Sequence, residues 1–219
     1  IKLDGRVIGV LNVSSSQVGR RFDDGDLARL VEIGGQISSI LERVVERTKR
    51  DLQATELRAR QAMEDAFASA PPERAARFRA VAHGLVAPFE APTVSLYLAD
   101  AAGRRFTVVS SQALPGPDGA IPVAASGHLA SVLHRGDPLF LASQFGRATT
   151  PNLIAVPIGS APRLGVLVAE NVPVSGDDAE AFVRLAVKLG VLLGRLAEAH
   201  RAEDAVARQS AVFAKLADV

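Results

Sequence analysis

The chain of 219 residues contains no cysteine and no tryptophan, and Tyr97 is its single tyrosine. The absence of cysteine excludes a disulfide framework, a thiolate metal cluster, a cysteine nucleophile and the thioether bond by which a protein attaches a tetrapyrrole. Aromatic residues make up only 5% of the sequence. We therefore expect the wall of any ligand pocket to consist mostly of aliphatic side chains.

Long apolar runs are also absent. Runs such as Leu189–Leu193 are broken within a few residues by Gly or Arg, whereas a membrane-spanning helix needs about 20 apolar residues. The first residues carry no apolar stretch typical of a signal peptide. Because the chain begins with Ile1 rather than Met, we expect the natural protein to continue upstream. These features predict a cytoplasmic protein without membrane insertion.

What the chain does have is an ordinary globular composition. Apolar residues make up 48%, and 25 basic residues against 24 acidic ones leave a net charge of +1. These values exclude a mainly disordered chain, and the length suits one large domain or one and a half small ones. The basic residues between positions 47 and 60 lie within the stretch 42–65, which holds equal numbers of basic and acidic residues, so we expect no nucleic-acid partner.

A long helix is predicted between the acids at Asp23–Asp26 and the prolines at Pro71–Pro72. Short acids can cap the free N–H groups of a first helical turn, and prolines end a helix. Between these limits apolar residues recur at spacings of three and four, which places one apolar seam along the helix. The seam contains Leu30, Gly34, Ile37, Leu41, Val44, Thr48 and, after a stutter, Leu52.

The rest of the chain alternates between helix and strand patterns. A helix from Pro72 to about Pro88 precedes a predicted hairpin, and Ser126 is expected to cap a short helix that ends near Arg135. The predicted strands comprise residues 93–98, 105–110, 138–142, 152–158 and 163–170, and the last two form a second predicted hairpin. Asp177 opens a second long helix, whose apolar seam is Leu185, Leu189, Leu192 and Leu196.

An internal repeat organises these elements. Residues 6–13 (RVIGVLNV) resemble residues 163–171 (RLGVLVAEN), and each segment precedes a polar loop, an acidic cap and a long helix. Aligning Phe22 with Val174 places Asp26 on Asp178. The repeat indicates that the chain holds the end of one domain followed by a complete copy of it.

The order of the elements resembles the GAF domain of sensory proteins. The stretches GVLNVSSSQVGRRFDDGDLARLVEIGGQISSILE and NLIAVPIGSAPRLGVLVAENVPVSGDDAEAFVRLAVKLGVLLG carry the resemblance. It divides the chain into the C-terminal part of a first GAF domain (1–45), a coiled-coil linker helix (41–70), a complete second GAF domain (71–200) and a helical extension toward an output domain (201–219).

The resemblance implies an α/β fold of the α+β type. A mainly antiparallel sheet would carry helices on one face and a small-molecule pocket on the other, flanked by long N- and C-terminal coiled-coil helices. The family implies a homodimeric, bacterial-type sensor rather than an enzyme. For the seam within residues 42–65, the alternative is packing on the chain's own sheet. The expected dimer contacts are Ile37, Leu41, Val44, Leu52, Leu185, Leu189, Leu192 and Leu196.

The identity of any ligand or cofactor stays open. Cyclic-nucleotide-binding members of the family carry a dispersed Asn-Lys, Phe, Asp-Glu signature, which both copies here match only in part. Haem would need a single histidine ligand, and a covalent bilin is excluded because cysteine is absent. His128 and His134 are six residues apart and do not share a helix face, so we expect no shared metal site.

The candidate ligand-binding residues are polar or aromatic side chains on the expected pocket side. Arg147 lies in the loop 143–151, where the family closes its pocket, and its guanidinium could hold a phosphate or a carboxylate. The alternative is a surface arginine. The full candidate set is Tyr97, Ser110, Phe140, Phe145, Arg147 and Asn152.

Three functions are compatible with these features. The first is a sensory module that binds a small molecule and controls an output domain. The second is a degenerate GAF scaffold that serves dimerisation and spacing without a ligand. The third is a regulatory segment of a cyclic-nucleotide or histidine-kinase signalling enzyme whose catalytic domain lies elsewhere. We expect no catalysis in this chain, because it has no thiol, no phosphate-binding loop followed by Lys and no nucleophile-elbow pattern.

Overall fold

A computed structural model of the chain describes residues 1–14, 21–71, 73–112, 120–141, 152–174 and 177–217. These residues form two compact units, Ile1–Ala54 and Thr55–Val219. One helix, α1 (Asp24–Ser69), contributes to both of them.

The first unit contains a small hairpin and the beginning of α1. Strands β1 (Lys2–Leu3) and β2 (Arg6–Val7) pair in antiparallel fashion. The α1 helix begins with a reciprocal cap, in which the Asp26 N–H donates to Asp23 Oδ1 at 2.8 Å and the Asp23 N–H donates to Asp26 Oδ2 at 3.3 Å. The predicted acidic cap is thereby confirmed, as is the end of the helix before Pro71.

The strand expected over residues 6–13 is much shorter than the repeat predicted. It ends at Val7, and residues 8–14 lie outside any strand. The corresponding segment of the second copy, residues 165–170, is hydrogen-bonded to a neighbouring strand on each side. Among the described residues of the first unit, only β1 is available as a partner, and an extended segment without a neighbouring strand has no ladder. The assignment of residues 1–45 to a first GAF domain stays a prediction.

The second unit is built on an antiparallel sheet. Its six described strands follow the order β5-β4-β3-β8-β7-β6. Both predicted hairpins are confirmed. The elements after α1 are α2 (Arg74–Phe89), β3 (Thr93–Ala99), β4 (Arg105–Ser110), β5 (Ala120–Pro122), a 3₁₀ turn (Val123–Ser126), α3 (His128–Arg135), β6 (Leu139–Leu141), β7 (Leu153–Ile158), β8 (Gly165–Glu170) and α4 (Asp177–Ala217).

One face of the sheet carries the long helices. Phe89 of α2 meets Phe182 of α4 with ring centroids 5.4 Å apart, and Phe67 of α1 meets Phe78 of α2 at 5.8 Å. The strand residues that point toward these helices, such as Leu96, are fully buried. The C-terminal part of α1, together with α2 and α4, therefore forms a single helical layer.

The α4 helix approaches β7 at two glycines. The Gly159 N–H donates to the Gly190 carbonyl oxygen at 2.9 Å, and Gly194 faces Gly159 so closely that an added Cβ would lie 2.7 Å from the Gly159 nitrogen. Backbones approach this closely only where side chains are absent. These glycines fix which side of α4 faces the sheet.

This orientation corrects the predicted dimer role of two leucines. Leu185 and Leu189 are buried within the chain, with 5% and 1% exposure. They lie on the side of α4 that includes Gly190 and Leu193, so their side chains are already covered by the core. At these residues the α4 seam therefore packs within the chain and not against a partner.

The other face of the sheet is covered by α3. Val132 and Leu133 of α3 pack with Phe106, Val166 and neighbouring residues in one apolar cluster.

The prediction that Ser126 caps α3 is wrong. Gly127, with φ 47°, precedes its first residue, whereas the Ser126 hydroxyl donates to the Pro122 carbonyl at 3.1 Å and so closes the preceding 3₁₀ turn.

Arg163 fixes the far end of α3. Its guanidinium donates to the carbonyl oxygens of Leu133 and His134 at 3.0 Å and of Arg135 at 3.1 Å. The last carbonyls of a helix have no partners within the helix and carry the negative end of its dipole. A cation from the β7–β8 connection therefore anchors α3 on the sheet.

No helix of the described part of the chain is long and apolar enough to cross a membrane.

Candidate functional site

The candidate site lies on the α3 side of the sheet, where three polar residues share a face. Directly paired residues of an antiparallel sheet point to the same side. Ser95 pairs with Ser110 of β4, and Tyr97 pairs with Val108 of β4 and Val166 of β8. Because Val166 belongs to the cluster beneath α3, Ser95, Tyr97 and Ser110 also point to that side.

Two serines form a buried polar pair at one end of this face. The Ser95 hydroxyl donates to Ser110 Oγ at 3.0 Å, and the Gln112 N–H donates to the same oxygen at 3.3 Å. Ser95 and Ser110 are only 4% and 6% exposed. Hydroxyl groups in an apolar interior need hydrogen-bond partners, and these two provide one for each other. We call this feature the serine pair.

Tyr97 lies beside the serine pair on β3. Its ring meets Phe106 edge to face, with centroids 5.7 Å apart and an angle of 81° between the planes. Burial raises the pKa of the Tyr97 phenol, and the negative charge of Glu170 raises it further. The phenol is therefore neutral at physiological pH and keeps its O–H donor.

The other candidate residues are placed differently. The Asn152 side-chain amide donates to the carbonyls of Val172 and Val174 at 3.4 Å, and so supports the connection that leads to α4. Phe140 pairs with Ile154, which puts it on the helical side of the sheet, away from Tyr97. Phe145 and Arg147 lie outside the described residues. The structure thus brings together Tyr97 and Ser110 from the predicted set.

Ser95 was missed by the sequence prediction although a signal was present. In β3 the apolar residues Val94, Leu96 and Leu98 alternate with Ser95 and Tyr97. Alternation in a strand separates two faces, so the position of Tyr97 on the predicted ligand side already implied that Ser95 lies there as well. The register with β4, which pairs the two serines, was not available from the sequence.

The predicted dimer residues also occupy different environments. Val44 is exposed, whereas Ile37, Leu41, Leu52, Leu192 and Leu196 are half-buried and Leu185 and Leu189 are buried.

The histidines among the described residues do not form a metal-binding site. His83, His128 and His134 are exposed, and no group of three or more His, Asp or Glu side chains there could hold a metal ion.

Comparison with solved structures identifies the fold. The GAF domain of an Acinetobacter phosphoenolpyruvate-protein phosphotransferase matches with a TM-score of 0.51 and 20% identity, over 68% of this chain and 97% of that one. The nlh2 GAF domain of A. Aeolicus, in an inactive state, matches with a TM-score of 0.53 and 18% identity, over 67% and 98%. This chain contains a GAF fold.

A third GAF structure agrees with this assignment. A proposed GAF sensor protein from Burkholderia vietnamiensis matches with a TM-score of 0.50 and 16% identity, over 70% of this chain and 94% of that one. No protein-family model and no curated protein matches the sequence. The GAF fold confirms the antiparallel sheet with flanking helices that the sequence resemblance implied.

Proposed function

We propose that the chain is a sensory or regulatory module of a signalling protein. A small polar molecule would bind beside the serine pair and Tyr97 and bias the arrangement of the long helices. The observation that carries this proposal is the cluster of Ser95, Ser110 and Tyr97. These residues lie on the face of the sheet opposite α1, α2 and α4. The similarity to a proposed GAF sensor supports the same interpretation.

A physical route connects the sheet to the long helix. In β7, Ala155 belongs to the cluster beneath α3, whereas the next residue, Val156, lies on the helical side beside Gly190. The Gly159 N–H at the end of β7 donates to Gly190. A ligand that binds one conformation of the sheet more tightly than another increases the population of that conformation. The α4 helix would then move with β7, because the two are in direct backbone contact.

Tyr97 offers a direct test of ligand binding. The chain has no tryptophan and one tyrosine, so its intrinsic fluorescence reports only on the proposed site. We expect one member of a panel of cyclic nucleotides, dinucleotides and amino acids to change this fluorescence and raise the melting temperature. A ligand at 100 times its Kd adds about 2.7 kcal/mol of stability.

A serine variant locates the effect. In Ser95→Ala with Ser110→Ala the active compound should lose most of its effect, whereas the exposed Ser131→Ala of α3 should respond like the native chain. An unchanged response in the double variant would contradict the site. If no compound, haem included, stabilises the chain, the scaffold alternative replaces the sensor. The mutual satisfaction of the two serine hydroxyls favours that second candidate.

We further propose that the chain forms a homodimer through the N-terminal part of α1. On one side of this helix, residues Ile33, Ile40 and Val44 expose large apolar side chains, with exposed fractions of 45%, 51% and 54%. An isolated helix with an exposed apolar stripe gains stability by pairing with a second one. The activity that the dimer controls would reside in a separate output domain, and this segment itself would not be an enzyme.

Light scattering tests the dimer. Leu41→Glu or Val44→Glu places a charge in the stripe, and we expect the measured mass to fall from that of a dimer to that of a monomer. Ser39→Glu is the matched control, because Ser39 lies on the opposite side of the helix at 100° per residue and should leave the dimer intact. A native chain that is monomeric at all concentrations would overturn the proposal.

A further inference from the structure

A second concave site lies on the helical side of the unit, where α1, α2 and α4 meet. The cavity has a volume of about 230 Å³. Phe67, Phe78 and Ala197 contribute apolar surface, and Arg74, Arg77, His200, Arg201 and Asp204 contribute polar groups. The site is separated by the sheet from the serine pair. We call it the helix-junction cavity.

The apolar side of the cavity is well ordered by ring contacts. The imidazole of His200 stacks on Phe67, with centroids 5.0 Å apart and an angle of 17° between the planes. Phe67 in turn meets Phe78 edge to face at 79°. These contacts join one residue from each of α1, α2 and α4. A ligand that fills the cavity would therefore contact all three helices.

The charge of the cavity is unbalanced. Arg77 forms a bidentate ion pair with Asp204, at 2.9 and 3.3 Å. Arg74 and Arg201 make no ion pair with a described carboxylate, and Asp204 is the only acid among the lining residues. His200 instead contacts Glu203 outside the cavity at 3.2 Å. With a neutral His200, the lining residues carry a net charge of about +2.

Two further features of this arrangement favour a negative group. The Nε atom of Arg77 is buried and has no hydrogen-bond partner among the described residues, and a buried donor without a partner is costly. Partial burial lowers the pKa of Arg74, and the nearby positive charge of Arg201 lowers it further. An anion between the guanidinium groups of Arg74 and Arg201 would relieve their repulsion and accept hydrogen bonds from their N–H groups.

We propose that the helix-junction cavity binds a compact organic anion, a carboxylate or a phosphate monoester with a small apolar body. Arg74 and Arg201 hold the charged group, and the apolar body lies against Phe78 and Ala197. The cavity volume is below the usual range for drug-sized ligands, about 300 to 1,000 Å³, which limits the occupant to a small molecule. This site is independent of the proposed sensory site on the other side of the sheet.

Isothermal titration calorimetry with phenyl phosphate and benzoate tests the proposal on the full chain. Inorganic phosphate and benzyl alcohol serve as reference compounds, because each offers only the charge or only the apolar body. We expect saturable binding of at least one of the two organic anions, at least several-fold tighter than either reference compound. Arg74→Gln and Arg201→Gln should each weaken it about tenfold, the loss that a charged hydrogen bond accounts for.

Arg195→Gln is the matched control, since Arg195 is an exposed arginine of α4 that does not line the cavity. It should bind like the native chain, as should the Ser95→Ala, Ser110→Ala double variant, and Tyr97 fluorescence should not change. Circular dichroism checks that each variant is folded. The proposal is overturned if neither anion binds, if benzyl alcohol binds equally well, or if Arg195→Gln weakens binding as much as Arg74→Gln does.

Discussion

Replacing Gly190 by alanine would test the close approach of α4 to the sheet. A Cβ added to Gly190 would overlap the Pro157 carbonyl oxygen far inside van der Waals contact, and would lie 3.5 Å from Val156 Cγ2. The Pro157 oxygen belongs to the backbone of β7, which is paired with β8. No side-chain rotation can therefore relieve the overlap, and α4 must move away from the strand.

The expected cost follows from two opposing effects. Alanine is favoured over glycine in a helix interior by about 1 kcal/mol, whereas inserting a group into a packed core costs about 1 to 3 kcal/mol and occasionally more. The overlap is with backbone, so we take the upper end of that range. The net destabilisation should be about 2 kcal/mol. For a unit of this size it lowers the melting temperature by about 4 to 8 °C.

Thermal and urea denaturation monitored by circular dichroism measure this effect. Gly35→Ala is the matched control, because it is the same substitution in a helix and no atom lies within 4 Å of the added Cβ. It should leave the melting temperature unchanged or raise it. If Gly190→Ala is as stable as the native chain while Gly35→Ala behaves as expected, the packing of α4 on β7 described above is wrong.

Three further predictions concern single side chains. The absorbance of Tyr97 at alkaline pH should show a midpoint above the ordinary pKa of tyrosine in the folded chain and the ordinary value in urea; because folding favours the protonated phenol, this residue should reduce stability as the pH rises above that ordinary value, and coincident midpoints would contradict its burial. Arg163→Ala should destabilise the second unit by about 1 to 3 kcal/mol in urea titrations, since it removes donors to three helix carbonyls, and Arg163→Lys should recover only part of the loss; equal stability of all three chains would argue against the anchor. The Arg104 N–H, which donates to Asp100 Oδ1 at 2.7 Å, lowers the pKa of that carboxyl, so the Asp100 contribution to stability should be lost as the pH falls through its folded pKa, and Asp100→Asn should flatten that part of the acid profile; an unchanged profile would refute this.

Much of the candidate site could be inferred from the sequence, but only where strand alternation decides the outcome. Tyr97 and Ser110 share a face because each occupies one of the alternate strand positions whose side chains point toward α3. Phe140 belongs to the other face, since the pairing of β6 with β7 sets it opposite Ile154. The register between strands, which depends on contacts distant in sequence, was needed to distinguish these cases.

Local physical chemistry in the sequence determined the helix limits and the two hairpins. Caps such as Asp23, consecutive prolines and alternating side chains act within a few residues, so they can be recognised without a fold. Only the tertiary structure decided which side of α4 meets the sheet, since Gly190 and Gly194 carry no apolar side chain for periodicity to detect. It alone brought Arg74, Arg77 and Arg201 into one cavity, because their helices are joined by packing between residues more than 100 positions apart.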